Sequence, residues 1–337
     1  MQGGFRVRTF FRLGAVIGAI GMLAAPASAQ EGAAFFDGKT ITYIVATDPG
    51  GGYDTNGRLV AEYMQKHLPG STIVVQNMPG AGHLIGTNYI YASEPDGLTL
   101  GTFNTGLIYG QLAGDPGAKF DFTKMTWIGK VSSDPRVIVM SKESGIDSFE
   151  QLASSKETIK FAAAGRGSAA TVETGMLAKA MNLPIEIIDG YGGNEDQLAM
   201  RRGEVKGVIG FRSTWEKFIA EGNGKFIAQI GGSQTDAPQL SSFAQTDEAK
   251  KVIALIESQA KIARLTAGPP GIPADRVAAL VDAYGKATSD PEFLEKAKGL
   301  KIPVEPLAGK PVADAVAAAM QPSPDLVVFL KEMMKKE

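Results

Sequence analysis

The sequence ITYIVATDPGGGYDTNGRLVAEYMQKHLPGSTIVVQNMPGAGHLIG at residues 41–86 contains one pattern twice. A β-prone run ends at the glycine turn of residues 49–52, and apolar residues at helical spacing follow it. A second β-prone run ends at the glycine turn of residues 79–82, and another helical pattern begins at His83. The pattern predicts strand, turn and helix twice in succession, with Asp54 as the N-cap of the first helix.

This arrangement predicts a pocket for an anion. Two parallel strands with right-handed crossovers place both glycine turns at the same edge of one sheet. Glycine allows a ligand to approach the backbone because it has no Cβ. The two helix N-termini would then offer unpaired N–H groups and partial positive charge to one small volume.

The second half of the chain contains the same pattern. Glycine turns at residues 165–168 and 189–193 each follow a β-prone run and precede a helical pattern, with Ser168 as an N-cap. Two such units facing each other would form a cleft, so we predict an α/β fold of two domains. The predicted bounds are residues 30–132 plus 257–337 for domain 1 and residues 133–256 for domain 2. We expect the C-terminal helices to pack on domain 1.

The first 29 residues have the pattern of a secretory signal peptide. Arg6, Arg8 and Arg12 form a basic region, an apolar run follows at residues 13–25, and the small residues ASA precede Gln30. The apolar run is short for a membrane span, which favours export over the alternative of a retained anchor. We therefore expect an exported protein.

Composition excludes several classes of function. The formal net charge of −2 and the lack of a basic run argue against nucleic acid as a partner. The chain has no cysteine, which excludes a cysteine nucleophile, a thiolate metal site and a cysteine-attached lipid.

Three enzyme classes fit poorly. The glycines at positions 80, 82 and 86 imitate a dinucleotide fingerprint, but the acid expected about 20 residues later is missing. The two histidines, His67 and His83, are far apart, and no Gly-x-Ser-x-Gly motif is present. We therefore expect no catalytic residue, no metal site and no cofactor.

Several motifs together resemble one family, the solute-binding receptors of tripartite tricarboxylate transporters, also called Bug proteins. The motifs are PGG at residues 49–51, Asn77 with PGAG at 79–82, PDG at 95–97, GRGS at 165–168, Tyr191 with Gly193, and GPPGIPA at 268–274. They occur in the family's order over nearly the whole predicted mature chain.

The resemblance implies a two-domain periplasmic binding protein of type II, a "Venus flytrap". Such receptors are monomers that capture a carboxylate solute and deliver it to a membrane permease of one small and one large subunit. In the family, backbone groups of two loops, here residues 50–54 and 80–83, hold the carboxylate, often through water. The second domain would close with residues around Ser168 and Tyr191.

Some positions leave alternatives open. Asp48 and His83 depart from the family pattern; Asp48 favours a ligand with a donor group or faces water, and His83 contacts the ligand or points to solvent. Arg212 either clamps a distal carboxylate or forms a surface salt bridge. The predicted ligand-binding residues are Asp48, Gly51, Gly52, Tyr53, Asp54, Ala81, Gly82, His83, Asn104, Thr105, Arg166, Ser168, Tyr191 and Arg212.

The sequence thus favours a receptor for a small organic mono- or dicarboxylate over an enzyme. A periplasmic sensor subunit that binds the same kind of solute is the alternative, and an exported hydrolase is the third possibility. Aromatic residues near the predicted loops leave both aromatic and aliphatic acids open.

Overall fold

The computed structural model describes Met1 and residues 27–334. The predicted signal peptide lies outside these residues except for its end, where the first helix begins at Ala27. None of the described helices has the length and apolar character that a bilayer crossing requires.

The described residues form two mixed sheets with helices around them. The strands are β1 (Thr40–Val45), β2 (Thr72–Asn77), β3 (Thr99–Thr102), β4 (Thr126–Ser132), β5 (Arg136–Ser141), β6 (Ile159–Ala163), β7 (Ile185–Asp189), β8 (Gly207–Phe211), β9 (Gly224–Ile230), β10 (Ala263–Gly268) and β11 (Leu307–Ala308). The helices are α1 (Ala27–Phe35), α2 (Gly52–Lys66), α3 (Leu84–Ala92), α4 (Leu107–Ala113), α5 (Phe149–Ala153), α6 (Ala169–Ala180), α7 (Glu195–Arg202), α8 (Arg212–Ala220), α9 (Asp247–Ala260), α10 (Ala274–Ser289), α11 (Pro291–Gly299), α12 (Lys310–Ala319) and α13 (Pro324–Met334).

The first sheet has the order β11-β4-β10-β3-β1-β2 and belongs to domain 1. β1 pairs in parallel with both β2 and β3, so that Val45 lies beside Asn77 and beside Thr102. The carboxyl ends of these three strands therefore meet at one edge, as the repeated pattern predicts. β10 runs antiparallel to β3 and β4 and brings a late part of the chain into the middle of this sheet.

The second sheet has the order β7-β6-β8-β5-β9 and belongs to domain 2. β6 pairs in parallel with β7 and β8, while β5 runs antiparallel to β8 and β9. β5 is buried along its whole length, which explains its continuous apolar run Val137–Met140. The glycine turns after β6 and β7 thus lie at one edge of this sheet too.

Helix α2 forms because one of its faces is apolar, and it buries Leu59, Val60, Tyr63 and Met64 against the first sheet. Its N-cap is Gly51, in an extended conformation, so the prediction of Asp54 in that role is wrong. The glycine turn lets the helix begin three residues earlier than predicted, at Gly52. Asp54 is therefore the third helical residue and accepts the Gly50 N–H from within the first turn, at 3.0 Å.

The first sheet takes its strands from β1–β4, β10 and β11 and the second from β5–β9, so we propose that the chain leaves domain 1 between β4 and β5 and returns before β10. Val252 and Ile256 of α9 lie in the core of domain 2, and the helix continues to Ala260. The predicted boundary between residues 256 and 257 therefore falls inside a helix. We propose that domain 2 ends after Ala260.

The C-terminal helices pack on domain 1, as predicted, and the last one also packs on domain 2. Helices α10, α11 and α12 contact α1, α2 and β4. Helix α13 packs on α4 of domain 1 and also on α6 of domain 2, and its apolar face of Leu326, Phe329 and Leu330 lies in a core cluster that contains residues of both domains. The contact with domain 2 was not predicted, since an amphipathic pattern shows that one face is buried but not which elements bury it.

Candidate functional site

A cavity of about 120 Å³ lies between the two domains, where the carboxyl edges of both sheets meet. One buried water requires about 10–15 Å³, so the cavity has room for a small organic molecule. Domain 1 contributes Thr47, Asp48, Gly51, Gly52, Tyr53, His83, Asn104 and Arg264 to its lining. Domain 2 contributes Arg136, Ala164, Ala169, Ala170, Tyr191, Gly193, Asp196, Val208, Ile209, Gly210, Phe211, Thr214 and Trp215.

Helix N-termini from both domains open onto this cavity. Gly52 and Tyr53 begin α2, Ala169 begins α6, and Asp196 and Thr214 lie in the first turns of α7 and α8. No side chain caps the N-terminus of α2. Free N–H groups and the positive end of the helix dipole therefore face the cavity from that side.

The loops of the two domains touch across the cleft. Asn194 donates its Nδ2–H to the carbonyl oxygen of Gly50 at 2.7 Å. A Cβ on Gly51 would lie 3.2 Å from the Gly193 carbonyl oxygen, and a Cβ on Gly82 would overlap the backbone nitrogen of Gly167. Glycine at positions 51 and 82 thus permits direct contact of backbone with backbone, and the cleft is closed.

Arg264 supplies the cavity with a positive charge that has little compensation. Its side chain is 3% exposed, and its Nη2 reaches Thr214 Oγ1 at 3.2 Å and Asp134 Oδ2 at 3.7 Å. No closer acid contact occurs among the described residues. A Cβ on Gly52 would lie 2.7 Å from Nη2, which places the guanidinium beside the first turn of α2. Burial lowers the pKa of Arg264, as expected for a cation that has lost its hydration.

The backbone of Arg264 is also strained. Its φ of +60° lies in the left-handed region, which costs a residue with a Cβ about 1–3 kcal/mol. His83, with a φ of +75°, is a second such residue in the lining of the same cavity. Backbone strain of this kind persists where the surroundings impose it, and it occurs preferentially at binding sites.

A second buried arginine is fully paired. Arg136 and Glu173 form a buried ion pair, in which Nη2 donates to Oε1 at 2.9 Å and Nε lies 2.8 Å from Oε2. Tyr109, on α4 of domain 1, donates its hydroxyl to the same carboxylate at 3.1 Å. The Arg136 and Arg264 guanidinium carbons lie 3.5 Å and 4.4 Å from the centre of the Phe211 ring. Phe211 thus keeps both cations beside the cavity.

Asp196 is a half-buried acid in the cavity lining. Its Oδ1 accepts the Gln197 N–H at 2.7 Å, and burial raises the pKa of its carboxyl to about 7. The group therefore changes charge near neutral pH. Its position at the start of α7 was not among the predicted binding residues.

The structure brings half of the predicted binding residues into the cavity lining. These are Asp48, Gly51, Gly52, Tyr53, His83, Asn104 and Tyr191. Asn104 also joins the domains, because its Oδ1 accepts the N–H groups of Gly106 at 2.8 Å and of Ala169 at 3.0 Å. Asn104 therefore lines the cavity and also bonds the backbone of both domains.

The other predicted residues lie outside the lining. These are Asp54, Ala81, Gly82, Thr105, Arg166, Ser168 and Arg212. Ser168 caps α6 by accepting the Thr171 N–H at 3.1 Å, and the Thr105 N–H donates to the Tyr53 hydroxyl at 3.2 Å. Ala81 and Gly82 belong to the loop that meets Gly167.

Asp54 organises the first loop without touching the cavity. Its carboxylate accepts hydrogen bonds from Gly50, from Arg58 Nε at 2.9 Å and from Asn77 Nδ2 at 2.9 Å. Burial raises the pKa of Asp54, but these three hydrogen bonds outweigh burial and the pKa is lowered. The carboxylate is therefore ionised and ties the two glycine loops of domain 1 together.

The structure does not place Arg212 in the pocket. Its Nε lies 2.8 Å from Glu216 Oε1 and its Nη2 lies 2.5 Å from Asp236 Oδ2, so the guanidinium is engaged by two acids of domain 2. The salt-bridge interpretation of Arg212 therefore replaces the carboxylate clamp. Arg166 likewise turns away from the cleft and donates to the carbonyl oxygen of Met334 at the end of α13.

Sequence reasoning missed Arg264, Arg136 and Asp196. The first two had a signal, because each is a charged residue inside an otherwise apolar strand, where burial without a partner is costly. Asp196 had none that distinguishes it from other acids in the first turn of a helix. What places all three at one cavity is the packing of the two domains.

The fold and the cleft define a class, the two-domain periplasmic binding proteins. A family model described as TctC, "Tripartite tricarboxylate transporter family receptor", matches residues 57–311. The chain therefore belongs to the tripartite tricarboxylate transporter receptor family.

Sequence relatives agree with this assignment. The chain is 29% identical over 248 residues to protein BugT of Bordetella pertussis, covering 69% of this chain and 73% of BugT. It is 28% identical over 162 residues to an Agrobacterium vitis protein from the TAR-I ttuE-ttuC' intergenic region. That match spans 45% of each protein, less than half of the relative's length.

Solved structures show the same fold. The periplasmic binding protein BugD has a TM-score of 0.72 at 22% identity, covering 88% of this chain and 97% of BugD. MatC of Rhodopseudomonas palustris, solved with malate, has a TM-score of 0.70 at 20% identity, covering 88% and 99%. Another R. palustris protein, solved with adipate, has a TM-score of 0.71 at 16% identity, covering 88% and 97%.

Proposed function

We propose that this protein is a periplasmic receptor that captures a small organic mono- or dicarboxylate between its domains and delivers it to a tripartite tricarboxylate-type permease. One observation carries the proposal: the buried Arg264 guanidinium lies beside the uncapped N-terminus of α2, in the lining of the interdomain cavity. Both groups are positive, and the acid nearest to Arg264 is Asp134, at 3.7 Å. An anion in the cavity would compensate both.

The charges around the cavity favour a carboxylate at this position. Arg136 is matched by Glu173, whereas Arg264 has only the 3.7 Å contact with Asp134. A guanidinium fork suits a carboxylate because it donates two parallel hydrogen bonds. The first turn of α8, where Thr214 lines the cavity, has no side-chain cap and would accept a second carboxylate, so both mono- and dicarboxylates fit.

The known proteins support the same class of solute. Two structural neighbours were solved with malate and with adipate, both of which are dicarboxylates. Family and neighbours are binding proteins rather than enzymes, and the cavity here has no nucleophile–base pair among its lining residues. The signal-peptide pattern supports export, and membership of the family supports delivery to a permease.

A thermal-shift screen of residues 30–337 against organic acids tests the proposal. A ligand that binds only the native state raises the melting temperature by mass action. Acids that raise the melting temperature should also bind in calorimetry. Arg264→Lys keeps the positive charge but loses the forked guanidinium, so it should bind them about tenfold to 100-fold more weakly. Arg201→Lys, on the surface beside Glu221, is the control. If no acid binds, or if Arg264→Lys binds as tightly as the wild type, the proposal is wrong.

Delivery is tested separately in the native host. Deleting the gene should abolish uptake of the labelled acid that calorimetry identifies, and the wild-type gene should restore it. Unchanged uptake, with loss of a transcriptional response to the acid, would favour a sensor subunit instead.

A further inference from the structure

The cavity also contains hydrogen-bond acceptors that a simple carboxylate cannot use. His83 is 5% exposed, and its Nδ1 lies 3.2 Å from the carbonyl oxygen of Ala46. A carbonyl oxygen only accepts, so Nδ1 carries the proton and Nε2 is an acceptor. Nε2 is buried, and no group among the described residues bonds to it. His83 lines the cavity, so this acceptor belongs to the binding site.

Asp48 provides a second acceptor in the same lining. Its carboxylate accepts no hydrogen bond from the residues that the structure describes, and the Thr47 hydroxyl donates to the main-chain carbonyl oxygen of Asp48 instead. A Cβ on Gly192 of domain 2 would overlap Asp48 Oδ2. The carboxylate is thus confined where the domains meet, and it lies close enough to His83 to affect its charge state.

The cavity therefore has two chemically opposite parts. Arg264 and the α2 N-terminus donate hydrogen bonds, whereas His83 Nε2 and the Asp48 carboxylate accept them. A plain carboxylate has no donor at neutral pH and would leave His83 Nε2 buried and unpaired, whereas the half-buried Asp48 carboxylate would keep its contact with solvent. An unpaired buried acceptor costs about 1–3 kcal/mol, and sites that hydrogen-bond a ligand hydroxyl or amine discriminate strongly against analogues that lack it.

We propose that the site selects acids that carry a hydrogen-bond donor, a hydroxyl or an ammonium group, in addition to the carboxylate. His83 and Asp48 accept from that donor while Arg264 holds the carboxylate. This inference rests on the proposed function. It narrows the ligand from organic carboxylates in general to hydroxy or amino acids.

The test compares matched ligands by calorimetry on wild-type protein of residues 30–337. Malate and aspartate are succinate with a hydroxyl or an ammonium group added. The wild type should bind at least one of them tenfold or more tightly than succinate. Equal affinity for all three acids would overturn the inference and leave the proposed function intact. If none of the three and no other acid binds, the proposed function itself is rejected and the inference with it.

Two variants assign the acceptors. His83→Gly removes the imidazole and relaxes the left-handed backbone, which offsets part of the packing that is lost, and a melting curve without ligand checks that the variant is folded. It should lower the preference for the donor-bearing acid over succinate by fivefold or more. A purely structural effect would weaken the binding of succinate and of the donor-bearing acid equally and leave the ratio of their affinities unchanged. That result would exclude His83 as the acceptor.

Asp48→Asn then separates the two donor classes. An ammonium group pairs with the negative charge of a carboxylate, so loss of that charge should weaken the binding of aspartate at least tenfold. A hydroxyl group can also donate to the asparagine amide oxygen, so the affinity for malate should change little. If both Asp48→Asn and His83→Gly keep the wild-type ratio between the affinities for the donor-bearing acid and for succinate, the inference is overturned.

Discussion

Gly82 allows closure of the cleft to be tested separately from ligand contact. Its φ is +62°, and a Cβ there would overlap the backbone nitrogen of Gly167 and lie 3.0 Å from the α-carbon of the same residue. The obstacle is backbone of the other domain, which cannot rotate aside as a flexible side chain could. In Gly82→Ala the distance from the new methyl group to that α-carbon has to lengthen from 3.0 Å to an ordinary 3.4–4 Å, and the overlap with nitrogen demands more.

The cost of this clash falls on the closed state alone. Overpacking of this kind typically costs about 1–3 kcal/mol, so Gly82→Ala should raise the Kd of the bound acid about fivefold to 150-fold. The left-handed backbone of alanine costs a further ~1–2 kcal/mol in the open and closed states alike. That second cost lowers the melting temperature of the free protein but leaves the affinity unchanged.

Gly145→Ala is the matched control. Gly145 has a φ of +67°, and an added Cβ would have nothing within 4 Å. Both variants should lose similar stability without ligand, but only Gly82→Ala should lose affinity in calorimetry. If Gly82→Ala binds like the wild type, or if Gly145→Ala weakens binding equally, contact between the two loops is not what holds the closed state.

Three further predictions concern charged groups. Arg212→Ala should destabilise the fold by about 1–3 kcal/mol in urea unfolding, because Glu216 and Asp236 lose their partner. Its affinities for mono- and dicarboxylates should stay within twofold of those of the wild type. A loss of affinity for dicarboxylates alone would support the interpretation of Arg212 as a carboxylate clamp. Burial lowers the pKa of His83 below its usual 6.5, so its contribution to stability is present above that pH and is lost as the pH falls. The melting temperature should therefore drop more between pH 7.5 and pH 5 in the wild type than in His83→Gly, and equal drops would contradict the assignment. Burial raises the pKa of Asp196 to about 7, so folding loses free energy as the pH rises from about 4 to 7, and Asp196→Asn should gain stability over the wild type at pH 8 but not at pH 4.

The part of the fold that follows from short-range pattern could be predicted from sequence. Strand, glycine turn and helix succeed one another within residues 41–86, and parallel pairing then determines which edge carries the loops. The start of α2 differs from the prediction because two good N-cap residues compete, and the extended Gly51 precedes Asp54. The local sequence pattern thus predicts the strands and helices and the sheet edge that carries the loops, with an error of a few residues at the start of a helix.

The charged part of the site depends on contacts that are distant in sequence. Arg264 lies on β10, beside the N-terminus of α2 but more than 200 residues after the start of that helix in the sequence. No local sequence pattern links the two. Arg212 follows a strand end as a ligand-binding residue would, but Glu216 one helical turn later and Asp236 take its guanidinium. The Glu216 pairing was visible as an i, i+4 spacing, whereas the Asp236 contact was not.

A crystal structure of the protein with the acid that binds most tightly in calorimetry tests the central claim most directly. The account predicts a carboxylate in the interdomain cavity, with oxygens about 2.7–3.2 Å from the Arg264 guanidinium and from N–H groups at the start of α2. An acid bound elsewhere, or one in the cavity whose carboxylate avoids both groups, would contradict it.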